Sequence, residues 1–167
     1  DLLYELPIPM NKKKLKLNRE EAETLANELK VQLSEVGKLE ADSHKIALMI
    51  EGLGDSRGLI RRTFAESLGV LGQASVPALR KALINHESVI VRRAAAKTLK
   101  LTGDQSALPD LLEAVINDPD PVVQCSAIGA MAIFGEKAME LFFQLLSDPE
   151  STALQCGLAT WGVAFIG

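Results

Sequence analysis

Four stretches of this chain close on a glycine at nearly equal intervals. "LIRRTFAESLGVLG" ends at Gly72, "IVRRAAAKTLKLTG" at Gly103, "VVQCSAIGAMAIFG" at Gly135 and "QCGLATWGVAFIG" at Gly167. A fixed period of this size marks a stacked array, in which each unit buries its apolar faces only against its neighbours.

Each copy carries its own start and stop signals. In the third, Asp118 and Asp120 are candidate N-caps, and Pro119 and Pro121 suit a first helical turn, where a missing N–H costs nothing. The first helix should run to about Phe134, Gly135 should close it in the left-handed conformation, and a second helix should occupy 137–147 before Asp148 and Pro149. Gly103 with Pro109, and Gly72 with Pro77, repeat the scheme, which reads as one helical hairpin per copy. Ile60, Phe64, Leu68 and Leu71 step by four, four and three, an apolar stripe on one helix face. Leu79, Leu83 and Ile84 of the first copy correspond to Leu111, Val115 and Ile116, and to Leu141, Leu145 and Leu146. Apolar residues make up 47% but aromatics only 4%, so Leu, Ala, Ile and Val must build the core, a mixture suited to close-packed helices. The expected fold is all-α, an alpha-alpha superhelix of stacked helical hairpins.

Three divisions follow: an N-terminal tail over 1–17, capping helices over 18–54, and repeats over 55–167 with the last one incomplete. In the cap, a strongly helical segment starts at about Asn18 with acidic residues in its first turn, as the helix dipole favours, and a shorter helix occupies 43–53. The fourth copy supplies only a first helix, and the chain opens on Asp1 rather than Met, so the expectation is a piece of a longer protein. The formal net charge of −4 argues against nucleic acid as partner, since phosphate binding needs a clustered basic surface. The one basic cluster, Lys12, Lys13, Lys14, Lys16 and Arg19, lies in and next to the tail and reads as a solvated arm. "DLLYELPIPM" does not read as a signal peptide. The uncharged run from Thr152 to Gly167 falls short of the roughly 20 residues that a membrane span needs. Two cysteines, Cys125 and Cys156, fit a reducing compartment.

Copies reading "VIVRRAAAKTLKLTGDQSALPDLLEAVIND" resemble HEAT-like repeats of the phycobilisome-lyase type. That pattern is an Ala-rich first helix opening on Val-Arg, then Leu-Gly, an acidic turn and an Ala-x-Pro-Leu-Leu second helix. Val91, Arg92, Ala95, Ala96, Leu99, Gly103, Asp104, Leu108, Pro109, Leu111 and Leu112 match it, and the resemblance covers about residues 55–167. The fourth copy departs from it, with Gln155 and Cys156 where Arg is usual. The resemblance implies a protein that binds bilin-carrying or other clients, and it admits a bilin as ligand.

Arg61, Arg92 and Gln124 form one column, each on the eleventh position before its glycine, and Arg62, Arg93 and Cys125 form the next. Arginine is not favoured by the dipole at a helix start. An inter-repeat ladder to loop carbonyls or to Asp55, Glu87 and Asp118 is expected, with recognition of a carboxylate ligand as the alternative. The "QC" pairs at Gln124 and Gln155 recur about one period apart, which would put both thiols on equivalent faces, too far apart for a disulfide, as small buried residues or, alternatively, as a shared soft-metal or transient thiol site. The same match aligns Trp161 with the small residues Ala130, Thr98 and Ser67 and predicts packing at the stack's end, or an interface anchor. His86-Glu87 resembles one of the pairs with which HEAT-repeat deoxyhypusine hydroxylases hold iron. The equivalent positions here are Asp118-Pro119 and Asp148-Pro149, so no such metal site is expected.

For partner binding, second helices should line a concave face from which Lys81, Asp110, Glu113, Glu140 and Phe143 project, basic early, acidic in the middle and aromatic near the end. Phe143 and its neighbour Phe142 cannot share an environment, and either core or surface is open to Phe143. No catalytic set of nucleophile, base and oxyanion donor can be assembled. The reading is a non-enzymatic scaffold for a phycobilisome- or cofactor-related protein partner, needing no cofactor of its own, in a cyanobacterial cytoplasm or plastid stroma. The alternative is a phycobilin lyase or chromophore-detaching enzyme, or a subunit of one.

Overall fold

The computed structural model describes residues 15–35, 37 and 39–167. Most of the tail, with Lys12, Lys13 and Lys14, therefore lies outside the described residues. Among those described, nine α-helices follow one another: α1 Arg19–Ser34, α2 Ser43–Gly52, α3 Gly58–Leu71, α4 Val76–Asn85, α5 Val89–Thr102, α6 Leu108–Asn117, α7 Pro121–Ala132, α8 Glu136–Ser147 and α9 Ala153–Ile166. The fold is the expected all-helical superhelix.

Local signals set the helix starts. Asn18 caps α1 in a reciprocal capping box with Glu21, and Ser88, Asp120 and Thr152 cap α5, α7 and α9 by accepting the N–H three residues on. With Arg57 before α3, the four first-helix caps keep the same period as the glycines. Gly103 is left-handed at φ 63° and ψ 18°, as expected. Gly72 and Gly135 differ: their φ values of 58° and 60° come with ψ near −125° and −127°, a region barred to residues with a Cβ.

Two layers result. First helices stack α3 on α5 on α7 on α9, and second helices stack α2 on α4 on α6. The cap continues both layers, because α1 packs on α3 and α2 on α4. One expectation changes. The close partner of α4 is α5, that of α6 is α7 and that of α8 is α9, so each hairpin closes at the short turn after a second helix rather than at the glycine. The glycines, with their unusual φ/ψ, turn the chain from one hairpin into the next.

The core between the layers is one continuous cluster of Leu, Ala, Ile and Val with Met49 and Met131, each large side chain contributing about 1.5–3 kcal/mol on burial. Two rings interrupt it, Phe64 and Phe142, both fully buried. Each is matched by a helical glycine: a Cβ at Gly52 would lie 2.4 Å from the Phe64 ring, and one at Gly162 would lie 2.5 Å from that of Phe142. Helices thus approach where the sequence removes a side chain.

The cap register also corrects the alignment through the "QC" pairs. Gln155 is the third residue of α9, where it closes a capping box with Thr152 and donates to the carbonyls of Val115 and Ile116 at 3.0 and 3.2 Å. It therefore matches Val91 and Val123, and Cys156 matches Gln124. Gly162, not Trp161, falls in the small-residue column with Ser67, Thr98 and Ala130. Trp161 lies outside, exposed and stacked on Phe165 with ring centroids 5.2 Å apart.

Candidate functional site

At the first-helix starts the arginine columns form a ladder. Arg61 donates to the Asp55 carbonyl at 2.6 Å, Arg92 to that of His86 at 3.0 Å and Gln124 to that of Asp118 at 2.8 Å, in each case six positions back. Arg92 also reaches the Asp118 carboxylate of the next turn at 2.9 Å. Arg93 grips Asp120, the cap of α7, with two bonds of 2.8 and 2.7 Å. That bidentate guanidinium, helped by the Val123 amide, draws the Asp120 carboxyl down to about 2, against the opposing effect of burial. The Asp55 carboxyl is lowered likewise by Arg57. Among the described residues Arg62 pairs within its own helix, with Glu66 at 2.8 Å. The buried Gln124 Oε1 has no hydrogen-bond partner, the one such side-chain atom among the described residues.

The second-helix layer places the residues nominated for partner binding as follows. Lys81, Glu113, Glu140 and Phe143 are exposed. Asp110 is half-buried and taken up by an ion pair with Arg80, which ties α4 to α6 and removes Asp110 from the expected gradient. Phe142 is 0% exposed and Phe143 52%, so the pair divides between core and surface. Hollows of about 400 and 300 Å³ flank Lys81, the larger floored by Ile50, Ala78 and Ala82.

A groove of about 770 Å³ lies over α3 and α5, bordered by Arg62 and Arg93 of the second arginine column and by Lys97, Lys100 and Leu101, and reaching Val122 of α7. It is a surface of the first-helix layer.

Residues 46–132 match the family of HEAT repeats. The chain belongs to the HEAT-repeat family. Among curated proteins, this HEAT-repeat chain is 47% identical over 151 residues to the bilin biosynthesis protein MpeU of Synechococcus sp. (strain WH8020), covering 90% of its own length and 51% of that protein's. It is 31% identical over 124 residues to the uncharacterized phycocyanin operon protein Z of Pseudanabaena tenuis, covering 70% of this chain and 61% of the relative. It is also 35% identical over 109 residues to the deoxyhypusine hydroxylase of Aspergillus clavatus, covering 64% and 32% respectively. The chain thus spans about half to three-fifths of the two bilin- and phycocyanin-related proteins.

Of the groups with reactive chemistry in this HEAT array, His86 accepts the Ser88 N–H at Nδ1 and meets Glu51 at 2.9 Å through Nε2. These bonds fix the ring as a turn element. Among the described residues no three His, Cys, Asp or Glu side chains gather as metal ligands. The cysteines are not the buried pair expected: Cys125 is exposed and Cys156 half-buried, on different columns of their helices. No described helix is long and apolar enough to cross a membrane.

Proposed function

We propose that this chain is a helical-repeat binding module that handles a protein client in phycobilin metabolism, in the cyanobacterial cytoplasm or plastid stroma. The 47% identity to a bilin biosynthesis protein over most of this chain supports the pathway. The single observation that favours binding is Phe143, an aromatic held 52% exposed beside a fully buried neighbour, with Lys81, Glu113 and Glu140 on the same layer. A large ring kept at a surface is the residue type that anchors interfaces, and flanking charges orient the partner.

The same similarity also favours a second reading, a phycobilin lyase or detaching enzyme, or part of one. The exposed Cys125 thiol is the nucleophile such a reading would use. The two separate in one experiment: the chain is mixed with bilin and an apo-phycobiliprotein subunit, and covalent attachment or release is followed by absorbance. The binding module gives a stable complex with no change in covalent chromophore. Turnover that disappears in Cys125→Ser or Cys156→Ser replaces the scaffold with the enzyme.

A further inference from the structure

Thirteen large apolar side chains stand exposed among the described residues, and eight of them fall in two columns of the first helices. Two residues after the cap come Leu59, Ile90, Val122 and Leu154; thirteen after it come Val70, Leu101, Ile133 and Phe165. All eight are 40% to 77% exposed. Eleven residues is close to three helical turns, so both columns point the same way, about 16 Å apart along each helix. A monomer's surface scatters its exposed apolar residues singly, and a pattern kept in four copies is therefore a feature of the face.

Charge is sorted on the same layer. Helices α3, α5, α7 and α9 carry six cations and one carboxylate, whereas α4, α6 and α8 carry three cations and four carboxylates, in a chain of net charge −4. Within the groove over α3 and α5, Arg62 and Arg93 are engaged by Glu66 and Asp120. Lys97 and Lys100 have no ion pair among the described residues and lie between the apolar ends set by Ile90 and Leu101.

We propose that this groove docks an acidic amphipathic helix of a partner protein, laid along α5 with apolar residues eleven apart against the two columns and carboxylates between them on Lys97 and Lys100. A helix lying parallel to α5 has the same rise per residue, so its spacing matches that of the groove without adjustment. Lys97 and Lys100, without an ion pair among the described residues, and a floor of Ala65 and Ala94 suit one helix face rather than the long phosphate track of a nucleic acid. This surface is separate from the second-helix face and does not depend on Phe143.

The test is anisotropy of a labelled helical peptide carrying two leucines eleven residues apart, with glutamates between them toward the leucine that meets Leu101, titrated with the whole 167-residue chain. Replacing both cations (Lys97→Ala with Lys100→Ala) should weaken binding about fivefold to tenfold with unchanged helical circular dichroism, as should glutamine in place of the peptide's glutamates. Phe143→Ala should leave the affinity as it was. Equal binding of acidic and glutamine peptides, no binding at all, or an unchanged affinity in the double variant would overturn the assignment. Loss of peptide binding in Phe143→Ala would move the peptide to the other face, ending this inference while leaving the proposed client binding in place.

Discussion

At the scale of single residues, the ladder at the helix starts is complete in one copy and broken in the next. Arg92 satisfies both a carbonyl behind it and the Asp118 carboxylate ahead. Gln124, at the same position one copy later, reaches only the carbonyl and leaves its own buried oxygen unpaired. The carboxylate that would complete the pair is present: Asp148 follows α8 as Asp118 follows α6, and each accepts the N–H two positions on. Gln124→Arg should therefore stabilise the protein by about 1 kcal/mol, removing an orphan acceptor and adding a charge-assisted bond to a partly solvated partner. In a chain of this size that is a rise of about 2–4 °C in melting temperature. An unchanged or lower Tm would mean that the ladder orients the turns without stabilising them.

Between elements, the bidentate bond that couples one repeat to the next runs from Arg93 on α5 to Asp120 at the cap of α7, beside the Arg92–Asp118 and Arg80–Asp110 pairs. Its pH dependence has a definite sign. Asp120 titrates at about 2 in the folded chain, below its ordinary 3.8, so the stabilisation is fully present above about pH 4 and is lost as pH falls through about 2. Asn keeps the capping oxygen and cannot ionise. In chemical denaturation from about pH 5 down to about pH 2, Asp120→Asn should begin less stable than the native chain and lose less stability over the interval. Parallel decline of the two proteins would assign the acid sensitivity to other carboxylates, Asp55 first, since Arg57 lowers it in the same way.

For the molecule as a whole, what could be read in the sequence was whatever each copy writes locally. The period, the caps and the helix limits rest on contacts within a few residues and recur in the structure within a residue or two. Ile60, Phe64, Leu68, Leu79, Leu83, Leu111, Val115 and Leu145 are buried, whereas Ile116 and Leu146 of the last column stand exposed. The hairpin phase was not legible, because a glycine turn and a capped turn look equally like hairpin loops until the packing partner of each helix is known. The alignment of Gln155 with Gln124 failed because two identical letters outweighed the cap register, which the Thr152 capping box fixes one residue away. The exposed columns at Leu59 and Val70 were visible in the aligned copies. Nothing in spacing alone, however, says which apolar stripe faces the core and which faces water.

A partner held at the second-helix face by Phe143 is the central claim about the molecule. Calorimetric titration of an apo-phycobiliprotein subunit into the native chain and into Phe143→Ala tests it most directly, with circular dichroism recorded on both. Because the ring is half in solvent, its removal should leave helix content and Tm unchanged while weakening binding by about 2 kcal/mol, near thirtyfold. Undiminished affinity in a folded variant, or a variant that unfolds, would contradict it.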